Sequence, residues 1–248
     1  MIFSLTTLQM PLADFMFSIR ESHVPGRIIV LLLFIGSIYA WTIMISKFSE
    51  LSRARTATRR FLLAFRKEKE PTSVFVRRQK FPDSPLYEVY EKTCIALAGE
   101  LETISGNPDE LFMADFDRSR NQLSSHQLET LRNIADRLVS DENLLLENRM
   151  NILATAVTTA PFLGLLGTVW GVMSAFAGMA VVGTATLSAV APGIAAALMT
   201  TVMGLLVALP STVGHNLLIG QISQLQVETS NFLKEFMDKI RNSYLQGT

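Results

Sequence analysis

Residues 150–227 contain no Asp, Glu, Lys or Arg. That absence constrains the fold more than any other feature of the chain. The stretch holds two apolar runs, 152–179 and 192–219, joined by the small-residue segment 180–191. Each run exceeds the roughly 20 residues with which a helix crosses the ~30 Å hydrocarbon layer. Hydrocarbon offers no partner to an open backbone, whereas a helix closes its own hydrogen bonds. The pattern therefore predicts a helical hairpin through a membrane.

The hairpin is more than an apolar anchor. In its first arm Ala160, Gly164, Gly167, Gly171, Ser174 and Gly178 recur every three or four positions. In its second arm Ala197, Thr201, Gly204, Ala208, Ser211 and His215 do the same. Faces of small residues let helix backbones approach closely inside a membrane. Thr168 lies about 11 residues before the connecting segment and Thr201 about 9 after it, which at ~1.5 Å per residue puts both roughly 14–17 Å below the outer surface. Two hydroxyls are thus expected at similar depth on one shared surface. The alternative is that each threonine bonds back to a carbonyl of its own helix.

Charged residues make up 18% of the chain and apolar ones 49%, with zero formal net charge. Such a balance suits a membrane protein with a substantial polar part. It carries no basic surplus that would point to nucleic acid. The single Cys94 excludes an internal disulfide, and no Cys/His cluster suggests a metal or other cofactor. The N-terminus lacks a basic start and a small-residue cleavage site, so it is expected to be retained.

In chain order, residues 1–24 come first. Leu5, Leu8, Leu12, Phe15 and Ile19 follow helical spacing, which predicts a short amphipathic helix on a membrane surface. Residues 28–46 form a first charge-free span with Tyr39 and Trp41 towards its far end. Lys47, Arg53, Arg55, Arg59, Arg60, Arg66, Lys67 and Lys69 follow at once. Under the positive-inside rule this places the region 47–150 in the cytoplasm and the N-terminus outside. Within it, 86–103 and 109–150 read as helices separated by the Gly106-Asn107-Pro108 turn. No Gly or Pro separates the second from the span at 152, so one continuous rod is expected. Residues 220–248 return to helical spacing with Lys234, Lys239 and Arg241, giving a cytoplasmic C-terminal helix. The fold class is an all-α membrane protein. It has three transmembrane helices, N-out and C-in, and long helices extending into a cytoplasmic bundle.

Moving ions through a membrane usually requires ionisable groups at depth. This hairpin has none. Threonine hydroxyls donate and accept hydrogen bonds without titrating near neutral pH. His215 can titrate, but it follows Pro210 near the inner mouth, where it and Asn216 read as polar residues of the interface. The chain is therefore suited to line a cavity around a carboxylate supplied by another polypeptide. No nucleophile–base pair or phosphate loop suggests an enzyme.

The run Ala160-Pro161-Phe162-Leu163-Gly164-Leu165-Leu166-Gly167-Thr168-Val169-Trp170-Gly171 resembles the second-span motif of the MotA/TolQ/ExbB proton-channel family. Ala191-Pro192-Gly193-Ile194, then Ala197-Leu198, Thr201, Gly204-Leu205, Ala208, Pro210 and Asn216, is similar to its third-span motif. The short chain and its Gly-Leu-Leu-Gly-Thr-Val run look nearer to TolQ and ExbB than to MotA. The resemblance implies a subunit of the bacterial inner membrane that forms a homopentamer around single-span partners of the TolR/ExbD type. There the partner's membrane Asp carries the proton, and proton motive force drives transport or envelope work. By motif match Thr168 and Thr201 take the two pore positions. Gly164, Gly167, Gly171, Gly204, Pro161 and Pro210 serve helix packing.

One position departs from the family pattern. TolQ and ExbB usually carry Glu in Gly-Ile-Ala-Glu-Ala-Leu, where this chain has Ala196. The loss removes the one acidic group the subunit could have supplied. It makes dependence on a partner stricter, and it leaves open a second reading, a non-conducting scaffold that assembles envelope machinery.

Overall fold

The computed structural model describes residues 24–101, 123–182 and 186–244. The surface helix expected within 1–24 lies almost wholly outside them. Among the described residues six helices follow one another: α1 (Val24–Lys67), α2 (Ser73–Val76), α3 (Pro85–Leu101), α4 (Ser125–Glu147), α5 (Met150–Val182) and α6 (Leu187–Tyr244). Three helical stretches among them, in α1, α4–α5 and α6, are long and apolar enough to cross a membrane. The described residues form helices and their connections, and the chain is a multi-pass membrane protein.

Local chemistry explains where the helices start and stop. Pro25 sits in the first turn of α1, where its missing N–H is no loss. Arg66 and Lys67 close that helix, beside its negative dipole end. Pro85 opens α3, and the Ser84 hydroxyl accepts from the Tyr87 N–H at 3.2 Å, capping the first turn. Before α4 the Ser124 hydroxyl accepts from the Gln127 N–H, while the Gln127 amide oxygen accepts from the Ser124 N–H. This reciprocal cap satisfies two donors that a helix start leaves open. It begins the helix at Ser125, where apolar spacing alone suggests 109; residues 102–122 lie outside the described ones.

The continuous rod expected through 150 is interrupted. Arg149 takes a left-handed φ of 69° between α4 and α5. The Asn148 N–H turns back to the Leu145 carbonyl at 3.2 Å, and the Arg149 carbonyl starts α5 by accepting from Ile152 at 3.2 Å. The hairpin connection is also shorter than the segment 180–191, because α5 runs to Val182 and α6 starts at Leu187.

The chain divides into two compact units. The first holds the start of α1, α5, and α6 as far as Leu217. Its core contains Ile29, Leu33, Ala160, Val207 and Ala208. At Gly214 an added Cβ would overlap the Met44 side chain, so α1 packs on bare backbone there.

The second unit is a helical bundle built from the end of α1, α2, α3, α4 and the end of α6. Its centre is aromatic. Phe61 meets Phe232 edge-on at 5.2 Å, Phe65 meets Phe232 at 5.1 Å, and Phe232 stacks on Phe236 at 5.8 Å. Tyr90 is fully buried among them, and its hydroxyl donates to the Pro71 carbonyl at 3.0 Å while accepting from the Phe75 N–H at 3.1 Å. A buried phenol without those partners would destabilise the core.

Candidate functional site

The two arms of the hairpin pair antiparallel, because contacts move up α5 as they move down α6. A Cβ added at Gly164 would lie 3.2 Å from Gly204 Cα, one at Gly171 2.6 Å from Ala197 Cβ, and one at Gly193 3.0 Å from Ala175 Cβ. At Gly204 it would lie 2.6 Å from the Ala160 carbonyl oxygen. At Gly171 and Gly204 a side chain would force its neighbour to move, and at Gly164 and Gly193 it would press tightly on it, so glycine is what lets the backbones touch. Gly167 belongs to the same seam, with the Thr200 side chain filling the space beside it. Gly178 does not, since nothing lies within 4 Å of its missing Cβ.

Close approach brings three hydroxyls into one node. Thr168 lies 3.1 Å from the Gly164 carbonyl on its own helix and 3.2 Å from the Ala197 carbonyl on α6. Its hydroxyl also bonds that of Thr201 directly. Thr201 donates across the seam to the Gly164 carbonyl at 3.1 Å. Thr200 reaches the same carbonyl at 3.0 Å and Ala197 at 2.7 Å. Each hydroxyl has one proton. Three protons therefore serve two carbonyls and one hydroxyl–hydroxyl bond, and no member of the set is left unsatisfied.

The expectation of own-helix bonding fits other hydroxyls of α6, with Ser211 on the Val207 carbonyl and Thr212 on that of Ala208, both at 2.8 Å. It fails for Thr201, whose bonds cross to α5. Thr168 and Thr201 keep a partly open side, whereas Thr200 is 2% exposed. The open pair can donate to or accept from a further group, but cannot hold a charge near neutral pH.

The other predicted positions fall elsewhere. Pro161 and Pro210 sit inside α5 and α6. His215 is half-buried and Asn216 exposed. Both lie in α6 at least fourteen residues beyond Thr201, about 21 Å along the axis, so neither joins the node. Ala196, 3% exposed, is one turn from Thr200. Sequence reasoning did not single out Thr200, although its spacing from Ala196, Ala197 and Gly204 marks the same face.

Three long membrane-compatible helices, with a glycine seam joining two of them around a hydroxyl node, define a membrane protein built for close helix packing around uncharged polar groups. Comparison with known proteins narrows that class. The profile of the MotA/TolQ/ExbB proton channel family matches residues 105–231. The Tol-Pal system protein TolQ of Haemophilus influenzae is 28% identical over 218 residues, covering 87% of this chain and 89% of that protein. The biopolymer transport protein ExbB of Pseudomonas putida is 30% identical over 215 residues, covering 86% of this chain and 59% of that one. ExbB of Salmonella typhimurium reaches 50% identity over 70 residues, 28% of this chain and 29% of its own. The chain belongs to the MotA/TolQ/ExbB proton channel family.

Proposed function

We propose that this chain is the channel-forming subunit of a proton-driven motor of the TolQ or ExbB kind. It sits in a bacterial inner membrane with its N-terminus outside and its helical bundle in the cytoplasm. Several copies, five by family resemblance, surround a single-span partner of the TolR/ExbD type. A membrane Asp of the partner takes and releases the proton. Thr168 and Thr201 face that carboxyl and give it hydrogen bonds in both of its protonation states. The proton gradient then drives movement of one component against the other, and with it transport or envelope work.

One observation carries this reading: the Thr168 and Thr201 hydroxyls meet in a stretch free of Asp, Glu, Lys and Arg. A partly open hydroxyl pair can solvate a carboxyl group without competing for its proton.

The test is proton uptake into proteoliposomes holding the subunit and its partner. Flux should require the partner's Asp and fall about 10²-fold or more in Thr168→Val and Thr201→Val, the order seen when a positioned hydrogen-bond donor is lost from a reacting site. Ala196 favours the second reading, a non-conducting scaffold, because it removes the family's acidic residue from this arm. Full biological function in a Thr168→Val/Thr201→Val double variant would decide for the scaffold.

A further inference from the structure

Away from the hydroxyl node, a groove of about 520 Å³ opens between α1 and the loop that precedes α3. Ser52, Arg53, Thr56 and Arg60 line its α1 wall; Lys80 and Asp83 line the other. Three cations thus face one carboxylate. Among the described residues no carboxylate forms an ion pair with Arg53, Arg60 or Lys80, while Arg66, Arg77, Lys47 and Lys92 are all paired.

The groove is held in shape. Phe81, in the loop, packs edge-on against Phe61 at 5.6 Å and Tyr87 at 5.7 Å. The buried hydroxyls of Thr58 and Ser84 bond across from α1 to the loop at 3.2 Å. Asp83 takes a left-handed φ of 66° just before the Ser84 cap, which turns the chain into α3. Both walls are therefore anchored in the aromatic core, and their charges stand apart without collapsing onto a partner. Like charges held together in a concave, pre-formed site repel one another until an anion enters and relieves the repulsion.

We infer that this groove binds a phosphate-bearing anion, with Arg53, Arg60 and Lys80 contacting its oxygens and the Ser52 hydroxyl adding a donor. Arginine forks match phosphate geometry, and lysine supplies a point charge. The phosphate can come from an anionic phospholipid headgroup or from a soluble phosphate compound. Ser52 lies six residues beyond Ser46, the end of the charge-free run of α1, which is about 9 Å of helix and near headgroup depth. The inference does not depend on the channel reading.

The experiment uses the full chain in maltoside micelles and native mass spectrometry. Dioctanoyl phosphatidylglycerol is the first probe, dioctanoyl phosphatidylcholine its zwitterionic control, and inorganic phosphate the soluble competitor. The wild type should retain the glycerol lipid over the choline lipid. Arg53→Gln/Arg60→Gln/Lys80→Gln should bind it about tenfold more weakly, since each basic group near a surface contributes measurably to anion attraction. Arg55→Gln/Arg59→Gln, on the same helix but off the groove, should bind like the wild type. Circular dichroism of each variant confirms that the bundle is folded. Competition by inorganic phosphate at comparable concentration assigns the site to a soluble phosphate, and its failure to compete assigns it to lipid. Unchanged binding in the triple variant, equal retention of the choline lipid, or binding of neither lipid nor phosphate overturns the inference.

Discussion

The hydroxyls of Thr168 and Thr201 bond each other across the hairpin and converge on one acceptor, the carbonyl of Gly164. Thr200, buried behind them, reaches the same carbonyl. These groups are coupled, so their removal should not be additive. Thr200→Val keeps the shape of the side chain and deletes its donor. It should lower stability in micelles by about 0.6–1.7 kcal/mol, the span measured for polar contacts between membrane helices. Thr200→Ser should restore most of it. In a double-mutant cycle, Thr200→Val with Thr201→Val should lose more than the two single changes together, because either hydroxyl can serve the carbonyl that both reach. Strict additivity would mean that the node does not act as a unit.

Glycines with the same spacing should respond in opposite directions. Gly204→Ala puts a methyl group 2.6 Å from the Ala160 carbonyl oxygen, where backbone must move. Overpacking of this kind destabilises by about 1–3 kcal/mol. Gly178→Ala meets open space, and alanine is the better helix former by ~1 kcal/mol. Thermal unfolding followed by circular dichroism should therefore show a lower midpoint for the first variant and an equal or higher one for the second. A loss in both would indicate that Gly178 is covered in the assembled protein.

Alkali should loosen the bundle, and the sign follows from three groups held protonated. Burial pushes the Cys94 thiol above its ordinary 9.0. Burial, and then the negative Glu91 carboxylate to which its hydroxyl donates, push Tyr87 up to about 12. Burial raises Tyr90 further in the same direction. In each case the unfolded chain loses its proton first, so the native state binds more protons and stability falls as pH rises. The contribution is intact below pH 9.0 and is lost progressively above it. Midpoints should be flat between neutrality and that point, then fall. Cys94→Ala should move the onset towards the ordinary tyrosine value of 10.0, because the thiol is the first of the three to titrate when unfolded. An onset unchanged by that substitution would count against the buried thiol as its source.

The hairpin and its hydroxyl pair were legible because composition and depth suffice to find them. A long charge-free stretch has few other folds open to it, and counting residues from the connection places Thr168 and Thr201 level. Thr200 was not legible in the same way. It sits beside Thr201 with identical chemistry, and only the register of α5 against α6 decides which hydroxyl is buried. The glycine pattern was half legible: spacing grouped Gly178 with Gly164 and Gly171, whereas contact separates them. The start of α4 was written in Ser124 and Gln127. It was hidden by apolar spacing that continues upstream of the cap.

The break at Arg149 had no signal of its own, since neither Gly nor Pro marks it, and it yields a prediction of unusual sign. In a continuous helix, Arg149→Gly would destabilise by ~1 kcal/mol through lost helix propensity. Arg149 instead holds a φ of 69°, a conformation that disfavours side chains by roughly 1–2 kcal/mol and leaves glycine unstrained. Arg149→Gly should therefore keep or raise the melting midpoint. Arg149→Val should lower it, because a β-branched side chain tolerates that backbone least. Unfolding of the two variants and the wild type in the same micelles makes the comparison. Destabilisation by glycine, with valine equal to or above the wild type, would mean that α4 and α5 run on as one helix in the folded protein.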